Sequence, residues 1–198
     1  VRFFLIDGGW QGREPGPRCP DCSNFYLPES QWVDTHKIPG GMKDLADRIR
    51  DCGLRPSIWW TPSVALSSTL ACEHPEWLAR DATGAPFRIG HAGYLNLARP
   101  EARAYLERVW EILFQQWGFE AMKMDFWCQA FESETIRYSH GLNMEWRDWL
   151  LGTLRSYIPD DGFLMTCVAT AHGNIFLGKH AETYRCCIDV GNAAWHEH

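Results

Sequence analysis

Short apolar runs with strand character alternate with helix-patterned stretches along this chain, and each run closes on a residue able to do chemistry. Strands are predicted at residues 3–7, 55–60, 119–125, 163–167 and 184–189, with a weaker extended piece at 94–97. Between them, Met42, Leu45, Ala46 and Ile49 recur at helical spacing, and Gly53 follows as a C′ glycine does. Pro100 opens the next helix at its first position and Gly118 closes it. Residues 144–157 form a third helix, with Trp146, Trp149, Leu150 and Leu154 facing inward and Pro159 just beyond. Repeated strand–helix units imply a parallel sheet, either doubly wound or closed as a barrel. The polar residues decide. Asp7, Trp60, Asp125, Cys167 and Asp189 each stand at the C-terminal end of a different strand, where barrels assemble their sites. No glycine-rich phosphate loop follows the first strand, since Gly8-Gly9 runs into Trp10. The expectation is an α/β fold, a (β/α)8 TIM barrel, with about five of eight strands in a single unit over residues 1–198, the first and last two lying outside.

The chain of 198 residues is 45% apolar and 22% charged, the balance of an ordinary globular domain with room for a core. A net charge of −6 without any basic run argues against a nucleic-acid partner. No apolar stretch approaches the length that spans a bilayer, so no membrane partner is expected. Homo-oligomer formation is compatible with all of this. The chain begins inside an apolar run at Val1 and stops abruptly at His198, as an internal piece of a longer protein would.

The tetrad Met122-Lys123-Met124-Asp125 places an ammonium and a carboxylate two residues apart at a strand end, on one face. A neighbouring cation favours the ionised carboxylate. The segment from Tyr184 to Asp189 repeats the idea, with Arg185 and Asp189 four apart on one face. Two carboxylates, each with its own cation, suit the cleavage of a glycosidic bond. The eleven tryptophans fit equally a Trp-rich core or a cleft where rings stack on sugars. For Asp125 the structural alternative is a cap on the following loop, and for Asp189 an ion pair with Arg185.

Four blocks carry a resemblance to the retaining α-galactosidase clan, glycoside hydrolase family 36 and its sister family 27. Phe4-Leu5-Ile6-Asp7-Gly8-Gly9-Trp10 is similar to the clan's "DDGW" strand. Ile38-Pro39-Gly40-Gly41-Met42, continued by Ile58-Trp59-Trp60, resembles its "FPxGmk…iW". Met122-Lys123-Met124-Asp125-Phe126 resembles the "KxDf" nucleophile strand, and Arg185-x-x-x-Asp189 the "RxxxD" acid/base segment. The resemblance implies Asp125 as nucleophile and Asp189 as general acid/base. It implies Lys123, Arg185 and Asp7 as groups holding sugar hydroxyls, and Cys167 as a site cysteine or a buried thiol. Trp59 and Trp60 alternate faces, and Trp60 is favoured as the one lining the sugar site. Trp10 and Trp127 line the rim or pack beneath loops, and His172 is incidental. Gly8 stands where family 36 has a second Asp, and Thr61-Pro62-Ser63 where it has a glutamate after the proline. The implied activity is hydrolysis of terminal α-linked galactosides in an oligosaccharide or glycoside substrate, by double displacement and without cofactor or metal. The alternatives are a transglycosylase of the raffinose-synthase type, an α-glycosidase for another sugar, and a catalytically silent sugar-binding barrel.

Among the eight cysteines, Cys19 and Cys22 form a C-x-x-C pair with no second pair downstream, so structural zinc is the poorer expectation. Cys52, Cys167 and either Cys186 or Cys187 fall in helix or strand patterns that suit buried thiols, which points to a reducing, cytoplasmic compartment.

Overall fold

A computed structural model of the chain describes residues 2–11, 33–133, 136–167 and 178–184, the side chains of Gln129 and Glu132 excepted. Its strands in chain order are β1 (Phe3–Ile6), β2 (Arg55–Trp60), β3 (Ser63–Ala65), β4 (Arg88–Ile89), β5 (Ala92–Tyr94), β6 (Ala121–Met124), β7 (Phe163–Thr166) and β8 (Thr183–Tyr184). Five of them form one parallel sheet in the order β1-β2-β6-β7-β8. The register sets Trp59 beside Lys123 and Lys123 beside Met165. Because side chains alternate along a strand, this row faces one way and its neighbours the other. Ile58, Trp60, Met122, Met124 and Leu164 turn into the helix layer and are fully buried there.

The helices follow the sequence pattern closely. Helix α1 (Gly41–Asp51) buries Met42, Ala46 and Ile49 at helical spacing, and Gly53 ends it with φ +75°. After α2 (Thr69–Glu73), helix α3 (Pro100–Trp110) starts on the proline and buries Ala102, Tyr105, Leu106, Val109 and Trp110. It then widens into π-helix over Glu111–Gln116 before Gly118, at φ +77°, turns the chain towards β6. Past the short α4 (Gln129–Glu132), helix α5 (Asn143–Tyr157) opens where the Glu145 carboxylate accepts the Leu142 N–H at 2.9 Å. The layers interlock through aromatic edges. Trp60 meets Trp110 at 5.9 Å, and Trp110 in turn packs on Trp149 and Tyr157.

Two ends of the sheet differ in kind. At the N-terminal end, Glu120 accepts hydrogen bonds from Arg50 and Arg55, and Arg55 also reaches Asp161 at 2.8 Å. At the C-terminal end the strands deliver Asp7 and Asp125.

The extended piece expected at residues 94–97 is a correction. Tyr94 alone is in a strand, and that strand belongs to a separate antiparallel sheet, β3-β5-β4, inserted between β2 and α3. Strands of two or three residues carry too few positions for alternation to show. The strand expected at 119–125 is shorter at both ends, and of the one expected at 184–189 only Tyr184 lies among the described residues.

Candidate functional site

Asp125 is the first residue past β6, where its N–H still reaches the Trp60 carbonyl at 2.9 Å. Only 7% of it is exposed, so its carboxylate must find partners within the protein. Each oxygen has one. The Trp59 indole N–H donates to Oδ2 at 3.2 Å and the Phe126 backbone N–H donates to Oδ1 at 2.9 Å. Phe126 itself sits at φ +48°, the one non-glycine residue with positive φ among those described. Its carbonyl accepts the Tyr94 hydroxyl at 3.0 Å, and its ring, 43% exposed, meets Trp59 edge to face at 6.4 Å.

Lys123 lies two residues before Asp125 on the same face, and its ammonium donates to Asp7 Oδ2 at 2.8 Å. Because β2 separates β1 from β6, the lysine reaches across a strand to make this pair. The other Asp7 oxygen accepts the Gly8 N–H at 2.8 Å. Asp7, Lys123 and Asp125 therefore converge on one patch at the C-terminal edge of the sheet, as the sequence led us to expect. Gly8 lies against the Trp59 indole, where an added Cβ would stand 3.4 Å from the ring, an ordinary contact.

Trp60 requires correction. It is wholly buried in the helix layer against Trp110, and the tryptophan at the carboxylate is Trp59. The parity was legible, since Trp60 shares its face with Ile58 and Trp59 shares its face with Ser57. Cys167 follows β7 next to Asp125 and is fully buried, its N–H donating to the Met124 carbonyl at 2.8 Å. Trp10 and Trp127 pack beneath the site, their indoles donating to the carbonyls of Trp59 and Cys167. Tyr138 donates to the Ala130 carbonyl at 2.8 Å, and burial pushes its phenol far above the ordinary range, so it remains a donor. Asp189 and Arg185 lie outside the described residues, as do Cys19, Cys22, His172, Cys186 and Cys187. Among the described residues no three His, Cys, Asp or Glu side chains gather as metal ligands would. Phe126 and Tyr94 are site residues that the sequence did not disclose. One is marked only by its backbone, the other by a contact between sheets.

A parallel sheet covered by helices, with charged side chains gathered past its strand ends, defines a (β/α) barrel protein of which this chain forms part. The Melibiase family model matches residues 1–157, and the chain belongs to the melibiase family. It is 30% identical over 105 residues to α-galactosidase Mel36A of Lactobacillus acidophilus, a match covering 52% of this chain and 13% of that one. It is 25% identical over 154 residues to an A type blood α-D-galactosamine galactosaminidase of Flavonifractor plautii, covering 71% of this chain and 13% of the relative. Among solved structures it is similar to the α-galactosidase TtGalA of Thermus thermophilus in complex with stachyose, with a TM-score of 0.69 and 25% identity over 96% of this chain and 37% of that one. The chain thus spans a small part of the relatives it matches.

Proposed function

We propose that this chain supplies the nucleophile side of a retaining α-glycosidase site that removes terminal α-linked galactose. The observation that carries the proposal is the cradle around Asp125, whose two oxygens are each fixed by one donor while Lys123 and Asp7 stand alongside. A carboxylate so held is oriented for attack rather than free to rotate. Asp125 attacks the anomeric carbon as the bond to the leaving oxygen breaks, and the departing electron pair takes a proton from Asp189. The covalent glycosyl-enzyme is then opened by water, whose proton returns to Asp189. In retaining enzymes the two carboxyls stand about 5–5.5 Å apart. The role of Asp189 rests on its place in the Arg185-x-x-x-Asp189 match. Lys123, Asp7 and Arg185 bind sugar hydroxyls, with Trp59 in the place first given to Trp60 and Cys167 backing the wall.

One observation favours a second sugar. Gly8 offers no side chain beside Asp7, so one polar contact to the substrate is lost there, and selectivity for a hydroxyl depends on such contacts. The Flavonifractor plautii relative is named for a galactosamine substrate. Hydrolysis of a panel of nitrophenyl α-glycosides by the full-length protein and its Asp125→Ala form tests both readings. The expected result is turnover of the α-galactoside by wild type and a loss of at least about a thousandfold in the variant. Azide should restore reaction in the variant and give a product of inverted configuration. Undiminished activity in Asp125→Ala would remove the nucleophile assignment, and preference for another glycoside would move the substrate.

A further inference from the structure

Phe126 is an improbable residue for its backbone. Positive φ is costly for a side chain this large, and such conformations persist where the surroundings hold them. The chain on either side of it is fixed. Asp125 is tied to β2 through its N–H, and the buried Trp127 indole donates to the Cys167 carbonyl at 3.0 Å. With both neighbours anchored, Phe126 can reach a negative φ only by turning the peptide plane it shares with Asp125. The N–H that donates to Asp125 Oδ1 belongs to that plane and would turn away with it. The next peptide plane, between Phe126 and Trp127, is held by the Tyr94 hydroxyl, which donates to the Phe126 carbonyl at 3.0 Å, so the residue is fixed beyond its Cα as well as before it. Tyr94 is itself fixed, 2% exposed, on β5 of the small antiparallel sheet and packed against Phe87.

We infer that Tyr94 is a positioning residue for the nucleophile: by pinning the Phe126 carbonyl it maintains the left-handed turn that aims the Phe126 N–H at Asp125. Tyr94 acts through Phe126. The inserted sheet thereby acquires a task in the site, although none of its residues was expected there. The inference rests on the proposal that Asp125 is the nucleophile.

A double-mutant cycle in the full-length protein tests it, using Tyr94→Phe, Phe126→Gly and their combination, with Asp125→Ala as reference. Glycine adopts positive φ without strain, so it needs no tether to keep the turn. If Tyr94 works by holding the turn, Tyr94→Phe lowers kcat about tenfold on a nitrophenyl glycoside while KM stays within about twofold. In the Phe126→Gly background the same change then lowers kcat by less than about threefold, because the interaction is already released. Phe126→Asn, which also tolerates the left-handed region, provides a second background should loss of the ring leave too little activity to measure. Thermal unfolding of each variant separates turnover from folding. An unchanged kcat in folded Tyr94→Phe, while Asp125→Ala is inactive, overturns the inference and leaves the nucleophile standing. An equal loss from Tyr94→Phe in all backgrounds also overturns it, since a general structural role is additive. Full activity in Asp125→Ala removes the nucleophile assignment and this inference together.

Discussion

Trp59 and Trp60 are neighbours in sequence, yet their replacement by phenylalanine should have opposite consequences. The Trp59 indole donates to the carboxylate of Asp125, and a hydrogen bond to a charged group contributes about 1.5–3 kcal/mol. Trp59→Phe keeps most of the ring but removes the donor, so kcat should fall by a factor of about 10–100. Trp60 is fully buried with no hydrogen-bond partner for its indole nitrogen among the described residues. Trp60→Phe trades a smaller packed volume for relief of that buried donor, and its unfolding free energy should stay within about 1 kcal/mol of wild type with kcat unchanged. Steady-state kinetics beside thermal unfolding check both. A fall in kcat for Trp60→Phe alone would return the site to the tryptophan first expected. At this scale the sequence disclosed charge and spacing. Asp7, Lys123 and Asp125 meet because parallel register and alternation bring strand-end residues of one parity together. It did not disclose the left-handed turn at Phe126, because positive φ leaves no mark on a phenylalanine, and although the parity that sets Trp59 with Ser57 was legible, two adjacent apolar rings gave no chemical ground for choosing between them.

Helix α5 and the segment 178–184 form a strapped unit. Asp148 accepts from the His180 ring at 2.7 Å and from Lys179 at 3.0 Å, while Arg155 pairs with Glu182 at 2.8 Å. Gly152 leaves space for the His180 ring, 3.2 Å from where its Cβ would stand. The hydrogen bond from His180, and then that from Lys179, holds the Asp148 carboxyl below its ordinary value. A lowered folded-state value means stability that is present above the unfolded-state value and lost as pH falls through the folded one. Asp148→Asn should therefore unfold at a lower temperature than wild type near pH 6, with the gap closing as pH drops well below about 4. Melting curves across that range decide it, and a gap independent of pH would show that the carboxyl's charge is irrelevant there. The long helices were legible because Met42, Ala46 and Ile49 repeat at helical spacing over several turns. The π-helical stretch at Glu111–Gln116 was not, since it keeps the apolar character of the helix and changes only the hydrogen-bond step.

Across the molecule, the sheet separates stability from chemistry along its strands. The network of Glu120 with Arg50 and Arg55 lies at the N-terminal edge, opposite Asp7 and Asp125. In barrels that edge serves the fold and the other serves the reaction. Glu120→Ala should leave two guanidiniums without their shared acceptor and lower stability by about 1–2 kcal/mol, reduced by their partial exposure. Its kcat/KM should equal that of wild type at a temperature where both are folded. A kinetic defect in the folded variant would mean that the two edges are coupled. The parallel architecture was legible in the strand–helix alternation, because parallel neighbours need a long crossover connection, usually a helix. The inserted sheet escaped because its order depends on contacts that no local pattern records.

That inserted sheet also has a place in time. Every neighbour pair in the parallel sheet is joined by a long excursion of chain, and such pairings form slowly because distant segments must first meet. Strands β4 and β5, in the smaller antiparallel sheet, differ. They are joined through Gly90 and His91 alone, with Gly90 at φ +61° as a two-residue hairpin turn of the II′ kind requires. Hairpins close in about 1–10 microseconds. By that rule the hairpin, whose pairing ends at Gly93 just before Tyr94, should take shape early, ahead of the arrival of β6. When β6 docks, the Tyr94 hydroxyl that donates to the Phe126 carbonyl should then already stand beside a formed hairpin, and the turn after Asp125 is cast against a mould made by local folding.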